Sequence, residues 1–218
     1  MRYLVSLFFG LALGAATALA ALYFNPLTQS AAKPVANPEW RLDYAFGPRN
    51  TWLFTHDRRV DLPVVPPTAP LLYEQGIKGA LLAAMPLSDP AGSTDAAATR
   101  ISVPSSSTEF LRSGLLVEDH WLISVPGRGT LYVNAVNNQW PLLRDTVVRV
   151  DWLRRNFAAG SYAPTRGPGA RGATVSGLTG AYAGARGNAS EQLSLASYQG
   201  SLETLTGQLA IDLADSGG

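Results

Sequence analysis

The hydrophobic pattern begins with an apolar run from Tyr3 to Phe24 that contains no charged residue. A helix of that length extends about 33 Å at about 1.5 Å per residue, which exceeds the bilayer core of about 30 Å. Arg2 precedes the run, and the next basic residue is Lys33. Because basic residues stay on the cytoplasmic side, the run predicts a transmembrane anchor at residues 1–24 with the following chain exported.

The same run also fits a secretory signal peptide that is cleaved after Ala20. Ala18 and Ala20 match the small-residue cleavage pattern. Tyr23 and Phe24, just before Asn25, favour an uncleaved anchor because aromatic side chains concentrate at membrane interfaces. In both interpretations the rest of the chain is exported. For the anchor we expect a bacterial inner-membrane location, with the N-terminus cytoplasmic and the C-terminal domain periplasmic.

After a polar, proline-containing linker at residues 25–38, the pattern takes the period of two that is typical of β-strands. The clearest alternation covers residues 115–125, in which Asp119 falls on the apolar face. We interpret Asp119 as a sign of a bulge or a register shift. Further alternating runs at 130–136 and 145–152 complete a predicted antiparallel meander.

The remaining runs also favour strands over helices. Trp40–Phe46 and Thr51–Thr55 flank a Gly-Pro turn and predict a hairpin. Residues 62–70 contain four prolines and predict a connector or an edge. No amphipathic helix is expected outside the anchor. The predicted fold is mainly β, with one N-terminal transmembrane helix followed by an antiparallel β-rich domain at residues 39–218, as a sandwich, a curled sheet or an open barrel.

Composition narrows the function classes. Charged residues make up 15% of the chain, below the usual figure of about 25%. The absence of cysteine excludes disulfides, a lipoprotein anchor and thiolate chemistry. A net charge of +1 provides no global field for nucleic-acid binding. We therefore expect no nucleic-acid partner, no cofactor and no metal.

The charges are distributed unevenly along the chain. Residues 149–186 contain six arginines and one acid, whereas residues 191–218 contain four acids and no base. The simpler interpretation is that the two segments neutralise each other across the sheet. The functional alternative is that an arginine-rich loop contacts anionic lipid or an acidic partner, with candidate residues Arg154, Arg155, Arg166 and Arg171.

Small residues also recur along one face of the predicted anchor. Gly10 and Gly14 form a G-x-x-x-G pattern, which allows two membrane helices to approach closely. Small residues are common in export segments, which is the simpler explanation. The functional interpretation is that Gly10 and Gly14 pack against a partner helix.

Two histidines are the candidates for catalysis. His56 precedes Asp57, and His120 follows an acid, so an exported hydrolase with a serine nucleophile is one alternative. The chain has no G-x-S-x-G elbow, no phosphate-binding loop and no zinc motif. A second alternative is a secreted surface- or carbohydrate-binding β-sandwich, which exposed tryptophans on one face would indicate, with candidates Trp40, Trp52 and Trp140.

The leading hypothesis is a membrane-anchored envelope protein that acts without catalysis. Its role would be that of a scaffold, an assembly factor or a lipid-handling subunit of a larger complex, with membrane lipid and other envelope proteins as partners. An N-terminal anchor followed by Leu- and Gly-punctuated strands resembles the AsmA-like envelope proteins and their secretion-system relatives. The resemblance covers the anchor and the last third of the chain, and it implies an envelope location.

Overall fold

The structure is a computed structural model that describes residues 2–24, 40–57, 69–77, 79–90, 95–109, 113–166, 169–198 and 205–214. The predicted linker at residues 25–38 and most of the proline-rich segment at 62–70 lie outside the described residues. The helical elements are α1 (Arg2–Phe24), α2 (Trp140–Leu143), a π-helix (Arg144–Trp152) and a 3₁₀ turn (Pro164–Arg166). The strands are β1 (Trp40–Phe46), β2 (Thr51–Thr55), β3 (Leu71–Tyr73), β4 (Ala80–Ser88), β5 (Asp95–Pro104), β6 (Leu116–Val125), β7 (Gly129–Asn138), β8 (Gly160–Tyr162), β9 (Gly172–Gly180), β10 (Arg186–Leu195) and β11 (Leu205–Ala214).

Eight strands form a closed antiparallel barrel. Their order is β1-β11-β10-β9-β7-β6-β5-β4, and β4 returns to β1 at the pair of Ser88 and Asp43. Three strands lie outside this ring: β2 pairs with β4, β3 runs parallel to β2, and β8 pairs with β10. The prediction of a mainly β, antiparallel fold is confirmed. The sheet curls until it closes, so the two stacked layers of a sandwich do not form.

Alternation along the strands fills the barrel with apolar side chains. In β1, β6 and β11 every second residue is buried. The largest aliphatic members of this core with no exposed surface are Leu42, Ile123, Leu131, Val133 and Ile211. Each such side chain stabilises the fold by about 1.5–3 kcal/mol relative to exposure, so the barrel interior is a packed core.

The predicted hairpin of β1 and β2 is wrong, although both strands form. Both pair with the same edge of β4, end to end: β1 at Asp43 and Ser88, and β2 with residues 80–83. The intervening turn is held by Asn50, whose Oδ1 accepts the Gly47 N–H at 2.8 Å. The two strands therefore run in the same direction, one after the other, along β4, and the turn between them does not reverse the chain.

The predicted strand at residues 145–152 is also wrong. This region belongs to the π-helix that follows α2, and β9 takes its place beside β7. Pro141 lacks the N–H that a central strand needs but fits the first turn of a helix. Leu142 is 1% exposed and packs into the barrel core, so the helical segment covers the barrel at the end of β7.

Helix α1 presents its apolar side chains to the surface. All side chains described from Val5 to Ala18 are exposed, with Phe8 at 76%. Among the residues that the structure describes, we find no helix that combines the length and apolarity needed to cross a membrane.

Candidate functional site

Six polar side chains from five strands meet inside the barrel. We call them the interior cluster: Tyr44, Arg100, Ser102, Asp119, Asn137 and Glu191. Each is at most 5% exposed, and Asp119 and Asn137 are completely buried. Buried charges require partners, because an unpaired ion in a low-dielectric interior is strongly destabilised. The geometry of the cluster shows how that requirement is met.

Arg100 is the centre of the cluster. Its Nε and Nη2 donate to the two carboxylate oxygens of Asp119 at 2.8 and 2.7 Å, and its Nη1 donates to Glu191 Oε1 at 2.7 Å. The rings of Phe46 and Trp121 lie 5.0 and 4.9 Å from the guanidinium carbon, within range of cation–π attraction. Strand β5 carries Arg100 and lies opposite β10, which carries Glu191, so this guanidinium joins opposite walls of the barrel.

The other cluster members complete the hydrogen bonding of the two acids. The Tyr44 hydroxyl donates to Glu191, and the Ser102 hydroxyl donates to Asp119. Asn137 Nδ2 donates to both carboxylates, at 2.8 Å to Glu191 Oε2. Within the described part of the chain, Asn137 Oδ1 is buried without a partner.

The charges in the cluster are unequal, because two carboxylates face one guanidinium. Burial and the nearby Asp119 raise the pKa of Glu191 above its ordinary value, although Arg100 opposes the shift. Burial alone would lower the pKa of Arg100, but Asp119 and Glu191 outweigh burial and raise it. Burial and Glu191 together raise the pKa of Tyr44 well above its ordinary value. Burial, which is the largest of these effects, and the second carboxylate both disfavour the ionised form of Glu191.

The interior cluster joins strands on opposite walls of the barrel, and its side chains are buried. Asp119 is the residue for which we predicted a bulge or register shift, and that prediction is wrong. The ladders of β6 with β5 and β7 run through Asp119 without interruption. Asp119 remains on the inner face because Arg100 meets it there with two parallel hydrogen bonds, the favoured arrangement of arginine and carboxylate.

Sequence reasoning missed Arg100 and Glu191, although a weak signal was present. Arg100 shares the inward face of β5 with Ala98, and Glu191 lies on β10 between the inward-facing Ala189 and Leu193. The signal is a charged residue at a position where the alternation predicts an apolar one. Asp119 on β6 shows the same signal. The three charges could have been grouped only if the ring order of their strands had been known.

The two histidines lie on separate elements outside the barrel interior. His120 Nδ1 is 2.7 Å from the Tyr132 hydroxyl on the neighbouring strand. His56 Nδ1 lies 3.8 Å from Asp57 Oδ1 near the surface. In the described ranges, neither histidine hydrogen-bonds to a serine, and no three potential metal ligands cluster.

The predicted anionic-contact residues lie in two settings. Arg154 and Arg155 are exposed just beyond the π-helix, beside two exposed apolar side chains. We call this group the Trp152 corner: Arg149, Trp152, Leu153, Arg154 and Arg155. Trp152 is 69% exposed and Leu153 is 54% exposed.

Arg166 and Arg171 lie outside the Trp152 corner. Arg166 is half-buried in the 3₁₀ turn, where its Nε is buried without a hydrogen-bond partner among the described residues. It lines a cavity of about 100 Å³ with Ser190, Gln192 and Gln208. Arg171 is exposed directly before β9. The four arginines therefore do not act as one loop surface.

A shallow groove crosses the outer faces of β1, β4, β10 and β11. Its volume is about 670 Å³, and its walls carry acid, amide and hydroxyl groups, including Asp43, Gln192, Thr206 and Gln208. Gln208 Nε2 donates to Asp43 Oδ1 at 2.8 Å.

The other residues predicted from the sequence are distributed as follows. A Cβ added at Gly10 or Gly14 meets nothing within 4 Å, so the small face of α1 is open. Trp40 and Trp140 are buried and Trp52 is half-buried, which removes the exposed aromatic face expected of the carbohydrate-binding alternative.

No family model, no curated protein and no solved structure matches the chain. The resemblance to AsmA-like envelope proteins therefore gains no support from these comparisons.

Proposed function

We propose that this chain is a membrane-tethered envelope protein whose β-barrel acts without catalysis, as a scaffold or assembly subunit of a larger complex. Helix α1 is the tether, with its N-terminus in the cytoplasm and the barrel in the periplasm. Other envelope proteins and membrane lipid are the proposed partners. The barrel interior is filled with side chains, so any lipid handling would use outer surfaces.

The observation that carries the proposal is the exposed apolar surface of α1. Phe8 and Phe9 are 76% and 75% exposed, and Leu7, Leu11 and Leu13 are each at least 65% exposed. Large continuous apolar patches on a protein surface mark contacts with a membrane or another protein. No helix among the described residues combines the length and apolarity needed to cross a membrane, so the membrane location of the tether is inferred from the uncharged sequence from Tyr3 to Phe24.

The positions of the residues that could take part in catalysis support a non-catalytic role. The interior cluster, which joins arginine, acid and tyrosine side chains, lies sealed in the barrel core. His56 and His120 lack a described serine partner, so the hydrolase alternative gains no support from the geometry. The exposed apolar surface of α1 provides contact area for a membrane or another protein, which suits a scaffold.

A charge inside α1 tests the tether. An arginine at the centre of a membrane helix is unfavourable by about 2.5–3.5 kcal/mol, so Leu13→Arg should move most of the protein from the carbonate-washed membrane pellet to the soluble fraction. Asn188→Arg, which adds the same charge to the exposed outer face of β10, should leave the distribution unchanged. Equal retention of the Leu13→Arg variant and the wild type in the pellet would contradict the proposal.

A further inference from the structure

The Trp152 corner combines apolar and basic side chains at one exposed site. Trp152 and Leu153 are adjacent in sequence, and both are more than half exposed. Arg154 and Arg155 follow directly and are exposed. Tryptophan is enriched at membrane–water interfaces, and each basic residue near an anionic membrane strengthens binding.

The arginines of the corner are available for an external anion. Among the described residues, Arg149, Arg154 and Arg155 form no ion pair. The two nearby acids are engaged elsewhere: Asp151 accepts the Tyr198 hydroxyl at 2.6 Å, and Asp145 accepts Arg144 Nε at 2.9 Å. The segment therefore presents positive charge toward solvent.

The backbone of Arg154 adds a second, independent observation. Its φ of 53° lies in the left-handed region, and within the described chain it is the only non-glycine residue with positive φ. The turn is held by hydrogen bonds from Leu153 N to Val148 O and from Arg155 N to Arg149 O, both at 3.0 Å. Glycine would adopt this conformation without strain. An arginine at such a position points to a role for its side chain.

We propose that the Trp152 corner docks on the anionic bilayer to which α1 tethers the barrel, an inference that rests on the tether proposed above. Trp152 and Leu153 enter the headgroup region, and Arg149, Arg154 and Arg155 contact lipid phosphates. This is the chemistry of an interfacial contact, in which apolar insertion and basic side chains act together.

The topology imposes a geometric condition on this docking. Strands β1 and β7 run in the same direction around the ring, so the start of β1 and the corner beyond β7 lie at opposite ends of the barrel. Strands of this length extend about 33 Å and, with a tilt of about 35–45°, give a barrel about 25 Å tall. The linker at residues 25–38 can span at most about 50 Å. It is long enough to let the far end of the barrel reach the membrane.

The test uses full-length protein reconstituted into vesicles whose lipids carry brominated acyl chains, which quench tryptophan on contact. With phosphatidylglycerol in phosphatidylcholine vesicles, we expect strong quenching that Trp152→Phe removes. The matched control Trp52→Phe, on β2, should leave the quenching in place. Pure phosphatidylcholine or high salt should weaken it, because screening reduces contact between exposed charges and headgroups.

Two further variants separate docking from folding. Arg154→Gly suits the backbone, so its Tm should equal or exceed that of the wild type, while docking on anionic vesicles should fall about fivefold. Arg128→Gly, in the β6–β7 turn at the opposite end of the barrel, should leave docking unchanged. Deleting residues 27–36 should abolish docking while the protein stays in the vesicles, because the remaining linker cannot pass the barrel.

The outcomes distinguish this inference from the tether. Protein that fails to incorporate into vesicles would refute the tether and this docking together. Protein that incorporates but shows no quenching of Trp152, or docks equally well with the shortened linker, would overturn the docking alone.

Discussion

Arg100 is the residue on which the interior of the barrel depends most. Its guanidinium satisfies Asp119 with two hydrogen bonds and Glu191 with one, and it is itself 4% exposed. Removing one member of a buried ion pair leaves the other charge desolvated and unpaired. The two acids would then face each other inside an apolar barrel.

Arg100→Met should therefore lower the free energy of unfolding by about 3–5 kcal/mol. Denaturant unfolding followed by circular dichroism measures the change. Arg128→Met, which removes an exposed arginine, should change stability by less than about 0.5 kcal/mol. The triple variant Arg100→Met, Asp119→Asn, Glu191→Gln should recover part of the loss, because it leaves no buried charge.

If Arg100→Met and Arg128→Met are equally stable, the guanidinium does not hold the barrel walls together. A triple variant no more stable than Arg100→Met alone would show that side-chain shape, not charge, dominates the cluster.

Glu191 makes the stability of the barrel depend on pH. Because its pKa is raised in the folded state, the folded protein holds a proton that the unfolded chain releases. Its contribution is fully present below the unfolded pKa of about 4.3 and is lost as pH rises through the folded pKa. Glu191→Gln should remove this decline in stability as the pH rises above the unfolded pKa.

Unfolding curves at a series of pH values measure this effect. Glu74→Gln, at an exposed position, is the matched control and should retain the wild-type decline. A Glu191→Gln variant with the same pH profile as the wild type would show that this carboxyl does not hold the extra proton.

At the scale of elements, alternation identified β6 and β7, each of which has one face in the core, but it missed β5, because residues 88–99 were interpreted as a loop. Residues 115–125 and 130–136 form β6 and β7 as predicted, and Asp119 lies on the apolar face where the alternation placed it. What the pattern could not show is why Asp119 is tolerated there. Its partner Arg100 comes from β5, and that pairing follows from packing instead of local sequence.

The error at residues 145–152 has a physical cause. Val148, Val150 and Trp152 alternate as in a strand, yet the segment continues from α2 as a π-helix. The backbone follows Pro141 and the buried Leu142, which fix the start of the helical segment at the barrel end. Tertiary packing overrides a short alternation when a neighbouring residue offers a better burial site.

At the scale of the whole molecule, closure of the barrel lay beyond sequence reasoning. The mainly β, antiparallel class follows from composition and period, but the ring closes through Asp43 and Ser88, which belong to strands that are not neighbours in the chain. The interior cluster depends on this closure, since Arg100 and Glu191 meet only across the closed ring. The surface candidates were partly predictable from the sequence. The uneven distribution of charges along the chain indicated Arg154 and Arg155, whereas the exposure of Trp152 is visible only in the folded structure.

The central claim is that α1 tethers a non-catalytic barrel to the envelope membrane. Native mass spectrometry of full-length protein extracted in mild detergent tests it most directly. The account predicts a mass that includes Met1 to Phe24 with lipid or a second protein bound. A bare chain that begins at Ala21 would contradict the account, because it would show a processed and untethered domain.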